Sequence, residues 1–169
     1  PPSAPPSPAP TPMDLTVSYS LSNDCLLFIS TFHSSSLFKS CLPFSLLLTT
    51  STSFRSIVES ATNDSYADLN ELISYTNSPL PSAGECDDYF AGLTKSFGEK
   101  KHCAADLGGG GEIRNPAAVD VRNGLGNYQV MREAAGLVDP DGGEYCYLQA
   151  VADSGPDDMY LWSLPTNIP

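Results

Sequence analysis

The sequence predicts a mainly α protein, a disulfide-stabilised helical bundle with an extended N-terminal strap and a short C-terminal segment. Three observations predict it. Apolar side chains recur at three- and four-residue steps through most of the chain, the spacing that lines one face of a helix. Clusters of proline, glycine, serine and asparagine cut that pattern into segments of helix length. The five cysteines, Cys25, Cys41, Cys86, Cys103 and Cys146, are widely spaced and include no C-x-x-C pair. Zinc sites gather ligands in such short pairs, so these sulfurs read as structural disulfides of an extracellular protein, with no metal site and no cofactor implied. An odd count leaves one cysteine free or paired outside this chain, and if one is free Cys146 is the candidate.

At 169 residues the chain is long enough for one domain with its own core. Eight Lys and Arg against twenty Asp and Glu leave a net charge of -12. Phosphate binding needs concentrated positive charge, so this balance argues against nucleic acid and against docking on anionic lipid. The longest apolar run, Leu42–Leu48, contains Pro43 and Ser45 and is far shorter than the roughly 20 residues a membrane-crossing helix needs. No membrane span is expected within the chain.

Residues 1–12 hold seven of the fifteen prolines and read as a polyproline spacer whose serines and threonines suit O-linked sugar. Residues 13–166 read as the single helical domain and 167–169 as a tail. Leu15, Val17, Tyr19 and Leu21 alternate, as in a short strand or a strap laid on the body. From Cys25 the spacing of Leu26, Leu27, Ile29 and Phe32 turns helical, with Asn23 or Asp24 as cap and Ser34–Ser36 as interruption. A disulfide from Cys25 to Cys41 would tie the ends of this unit together.

Pro43 opens a segment carrying Phe44, Leu47, Leu48, Phe54, Ile57 and Val58, with the polar run Thr49–Ser53 as a helix junction. Asn63-Asp64-Ser65 is an N-glycosylation acceptor. Asp64 or Ser65 then caps a helix through Leu69, Leu72 and Ile73 that ends before Pro79 and Pro81. The next helix is expected from Cys86, with Asp87 and Asp88 in its first turn and Lys100, Lys101 and His102 in its last, the ends that the helix dipole favours. A Cys86 to Cys103 bond would close a short loop, which chain entropy values at about 3 kcal/mol.

Gly108–Gly111 lacks the Lys-Ser/Thr ending of a phosphate loop and reads as a hinge. Asn115-Pro116 starts the central helix, whose stripe is Val121, Leu125, Tyr128, Met131 and Ala135. Gly124 and Gly126 weaken it intrinsically and suit a close helix crossing, and Gly136 stops it. Asp139-Pro-Asp-Gly-Gly-Glu lacks calcium-loop spacing and reads as an acidic turn. Met159, Tyr160, Leu161, Trp162 and Leu164 are expected to fold back onto the bundle.

The cysteines, together with SLFKSCLPFSLLLTTSTSF, GLGNYQVMREAAGL, GEYCYLQAVAD and DDMYLWSLP, resemble a family of fungal secreted or cell-surface proteins known as a domain of unknown function. The resemblance spans residues 13–166 and rests on the order and spacing of several stretches. It implies a helical, disulfide-bonded ectodomain, often followed by a low-complexity stalk or lipid-anchor signal, and brings no activity or catalytic residues with it. The family pattern carries further cysteines, one near Gly136, so Cys146 here would lack its partner.

The functional expectation is a secreted or cell-surface structural protein without catalytic activity, associating with other copies of itself or with cell-wall components. The alternative is a binding module for a glycan or small apolar ligand, with Tyr145, Tyr147, Tyr160 and Trp162 as contact residues. Catalysis finds weak material. His33 and His102 are the two imidazoles, no group near Cys146 lowers a thiol pKa, and Asp87, Asp88, Asp153, Asp157 and Asp158 read as caps and solvated turns. Cation capture would require three or more carboxylates converging on one point.

Overall fold

The computed structural model describes residues 5–14, 20–61, 65–153 and 161–162. Among them the chain forms nine named helices: α1 (Asn23–Ser34), α2 (Ser36–Cys41), α3 (Phe44–Thr50), α4 (Thr52–Ala61), α5 (Ala67–Asn77), α6 (Ala83–Phe97), α7 (Pro116–Gly126), α8 (Tyr128–Ala135) and α9 (Cys146–Ala152). A single antiparallel bridge, Val138 to Tyr145, is the β pairing among the described residues. The architecture is the expected disulfide-braced, mainly α bundle. The alternating stretch at residues 15–19 lies outside the described residues.

Short polar side chains set the helix starts by accepting from amides that have no partner in the first turn. Ser22, one residue ahead of the expected caps, accepts from Cys25 N; Ser35, Ser82 and Asn115 do the same for α2, α6 and α7. The serine run therefore ends one helix and begins the next. In α6, Ser82 moves the start ahead of Cys86, so Glu85 occupies the first turn and Asp87 and Asp88 lie beyond it. The helix ends at Phe97, and residues 98–111 continue in turns, so Lys100, Lys101 and His102 stand outside it.

The expected central helix divides at Asn127 into α7 and α8. Gly124 and Gly126 make this stretch a poor helix former, and Asn127 donates its side-chain amide to the Asn123 carbonyl at 2.8 Å, competing with the backbone ladder. The apolar stripe survives the break: Val121, Leu125, Tyr128, Met131 and Ala135 are all buried.

Gly124 supplies the close crossing. A Cβ there would lie 2.2 Å from Leu46 Cδ2, and Ser45 donates its hydroxyl to the Gly124 carbonyl at 2.6 Å. At Gly136 a Cβ would meet Asn77 Oδ1 at 2.2 Å.

Two apolar clusters fill the bundle. One joins α1, α2, α6 and α7 with Leu46 of α3 and Tyr128 of α8, the Tyr128 ring stacked on Phe90 at 4.0 Å between centroids. The other joins α3, α4, α5, α8 and α9 around Phe44, Tyr75 and Tyr147. Packing of α3 against both α7 and α8 links them.

Four cysteines are paired, but across the chain rather than between sequence neighbours: Cys25 with Cys103, and Cys41 with Cys86. The expected local pairing fails on geometry. Cys86 and Phe97 lie near opposite ends of α6, a rise of about 16 Å, and Cys103 stays beside Phe97 through a 3.1 Å amide contact. A disulfide requires Cα atoms within about 7 Å. The observed bonds instead clamp both ends of α6, one to the start of α1 and one to the end of α2, with Cα separations of 4.5 and 5.7 Å. Their sequence separations of 78 and 45 residues correspond in the chain-entropy model to about 4.5 and about 4 kcal/mol, less in combination because one loop nests inside the other.

The proline-rich leader meets the body before the boundary read from composition. Pro10, Pro12 and Met13 are buried, and Asp14 accepts from the Thr52 and Ser53 amides at the start of α4 at 2.6 and 3.1 Å.

Candidate functional site

The C-terminal aromatic residues were the sequence's candidate contacts. Tyr147 is the largest departure from that expectation, because it belongs to the core. It is 0 % exposed, edge-on to Phe44 at 5.1 Å and covered by Trp162 at 5.0 Å. Its hydroxyl has no hydrogen-bond partner among the described residues, and burial pushes its pKa well above the ordinary tyrosine value. Such a side chain is withdrawn from any ligand. Position 147 follows the N-cap residue Tyr145 by two, and the helical turn of α9 carries it inward with Leu148 and Val151. Tyr145 and Trp162 are half-buried against the same cluster. Tyr160 and the glycosylation candidate Asn63 lie outside the described residues.

A cleft of about 350 Å³ lies beside this cluster, where α5 and α9 diverge. Tyr66, Asn70, Glu144 and Leu148 line it, and Tyr66 is the one aromatic ring among its described lining residues. Glu144 closes the acidic turn read from sequence; Tyr66, Asn70 and Leu148 were not singled out as contact residues, because none belongs to a recognisable motif.

A second feature is an apolar surface on α8. Val130 and Ala134 stand one turn apart on the same helix face, and Leu161 and Trp162 lie with Ala134 and Met131 around a shallow hollow. Val130, Leu137 and Leu161 are 54, 58 and 59 % exposed.

The titratable candidates are engaged structurally. Asp87 receives a bidentate contact from Arg132, Nε to Oδ1 at 3.1 Å and Nη2 to Oδ2 at 2.8 Å, with the two side chains 18 and 9 % exposed. This pair, α6 to α8, was not anticipated; the signal was an arginine adjoining Met131 in the apolar stripe. His102 stacks on Phe28 at 4.0 Å and its Nδ1 meets the Ser96 carbonyl at 2.7 Å. His33 Nε2 donates to the Pro12 carbonyl at 2.9 Å.

Asp139 accepts from Gln149 at 2.8 Å and from the Asp141 amide at 3.0 Å; these bonds, with Gln149 foremost, hold its pKa below the ordinary value. It is the staple of the acidic turn. Asp157 and Asp158 lie outside the described residues, and Asp153 is an exposed helix end. No group of three or more His, Cys, Asp or Glu side chains converges among the described residues in the manner of a metal site. Cys146 carries a free thiol and is half-buried.

Fold, cross-links and surface together define a disulfide-braced, all-α domain whose strongest polar contacts serve its own packing. The chain belongs to the family described as domain of unknown function DUF7729, which matches it over residues 8–169. This is the fungal, cysteine-containing family of the resemblance, and its match begins inside the proline-rich leader. No curated protein and no solved structure matches the chain. No helix among the described residues is long and apolar enough to cross a membrane.

Proposed function

We propose that this domain is an extracellular, non-catalytic structural protein that associates with copies of itself at the cell surface or wall. The observation that carries the reading is the exposure of three large apolar side chains, Val130 on α8, Leu137 just past its end and Leu161 beside Ala134, on an otherwise acidic chain. Apolar surface left open in this way favours a contact site, since burying it releases ordered water. Two long-range disulfides favour an oxidising compartment, because reducing cytosol would not maintain them. Engagement of Asp87 and both histidines in packing supports a role without chemistry.

The net charge of -12 sets a condition on this association. Like-charged copies repel over a Debye length, which is about 10 Å at 0.1 M salt, so contact should strengthen as salt rises and as pH falls toward the isoelectric point of about 4.2. Sedimentation of the native protein across concentration and salt tests the reading. Reversible oligomers that dissociate on Val130→Glu or Leu161→Glu are the expected result. A chain that stays monomeric at millimolar concentration and high salt would overturn it. Glycan arrays address the alternative of sugar binding, for which the cleft at Tyr66 and Asn70 is the surface to compare.

A further inference from the structure

The leader lies along the body in a groove that is deepest at Pro10–Met13, where Pro10, Pro12 and Met13 are buried. Pro6–Pro8 line a hollow with Ile57 and Leu72, and Pro10–Pro12 line another with Phe38 and Leu42. Between Pro10 and Met13 two backbone amides are present, and both are bonded: Thr11 N donates to Ser53 Oγ at 2.9 Å and Met13 N to Thr50 Oγ1 at 2.8 Å. The prolines remove the amides that an apolar groove could not satisfy. His33 supplies the donor for the Pro12 carbonyl. Among the described residues the partners of the leader's own backbone at Thr11, Pro12 and Met13 are side chains, so the segment docks as an extended ligand rather than as an added strand. Asp14 closes the contact by capping α4, with the Ser53 hydroxyl also donating to it at 2.9 Å.

The body downstream is fastened independently. Ser22 donates its amide and its hydroxyl to Asp106, and Cys25 is bonded to Cys103, so the start of α1 is fixed without the leader. Residues 15–19 join the two parts, a link that spans at most about 20 Å when extended.

We propose that the groove is also an intermolecular site, filled by residues 6–14 of a second copy in a reciprocal exchange that gives a closed two-fold dimer. The groove already selects this segment, and every copy carries it, so exchange repeats the same contacts between chains and needs no new recognition surface. The short link brings the groove faces of the two bodies close together. The inference rests on the reading that copies associate, but through a surface separate from the α8 face.

Paired thiol crosslinking tests it. In a Cys146→Ser background, a tagged Ser7→Cys chain is mixed with an untagged Asp68→Cys chain, both sites being exposed and facing one another across the groove. After equilibration at high concentration, a short thiol-to-thiol crosslinker is added without reductant. Exchange predicts a tagged-to-untagged product in large excess over a control pairing Ser7→Cys with Leu80→Cys. Oligomers in sedimentation without that product, while Ser7→Cys/Asp68→Cys on one chain closes internally, would overturn exchange and leave association through α8 standing. A chain that sediments as a monomer throughout would overturn both.

Discussion

Replacing Gly124 with alanine tests one of the two tightest glycine contacts in the bundle, the crossing of α7 over α3. On propensity alone the change should help, because alanine is about 1 kcal/mol better than glycine inside a helix. Tertiary contact reverses the sign. The added methyl would lie 2.2 Å from Leu46 Cδ2 and 2.8 Å from its Cγ, and Leu46 is 0 % exposed, with no free space to turn into. Relief requires α7 to move off α3, which also strains the Ser45 hydrogen bond to the Gly124 carbonyl. Overpacking of this kind costs about 1–3 kcal/mol. The clash is with the Leu46 side chain, its Cα lying 3.7 Å away, which places Gly124→Ala in the middle of that range, for a net loss of about 1 kcal/mol and a fall in Tm of about 2–4 °C.

Gly92→Ala is the internal control, since that glycine lies within α6 with nothing within 4 Å of its added Cβ. It should gain up to about 1 kcal/mol. Chemical denaturation of both variants, with Leu46→Val added to Gly124→Ala to restore space, is the assay. Equal or higher stability for Gly124→Ala, or no rescue by Leu46→Val, would refute the crossing as the reason for this glycine.

Tyr147→Phe should raise stability by about 1 kcal/mol, because it keeps the ring contacts and removes a buried hydroxyl that has no partner among the described residues; a clear drop in Tm would mean the hydroxyl is bonded. Arg132→Met should cost about 2–3 kcal/mol by leaving the Asp87 carboxylate poorly solvated, and Asp87→Leu added to it should recover most of that loss in the same denaturation assay. Asp14 gives a pH signature. Burial works to raise its pKa, but hydrogen bonds from Thr52 and Ser53 outweigh it and hold the carboxyl below its ordinary 3.8. A depressed folded-state pKa means that the stabilisation is full above the ordinary value and fades as pH falls through the lowered one. Asp14→Ala should therefore cost about 1 kcal/mol at neutral pH and progressively less in strong acid, measured by thermal melts across pH.

What the sequence by itself determined was local. Caps, prolines and periodicity are interactions between residues a few positions apart, so Asn115-Pro116 announced α7, the serine run separated α1 from α2, and the buried stripe through Ala135 was legible even across its unforeseen break.

Only the tertiary structure decided which surfaces meet. Cys25 and Cys41 are near in sequence, yet their partners are at the two ends of α6, because a rigid helix keeps its ends apart and a disulfide joins what is close in space. Asp87 looked like a cap until the earlier start at Ser82 turned it toward Arg132. Tyr147 looked like a contact residue until α9 rotated it inward, and the leader looked like a free spacer until Ser53, Thr50, His33 and α4 proved to hold it. Each of these depends on which residues distant in sequence become neighbours, and spacing along the chain carries no record of that.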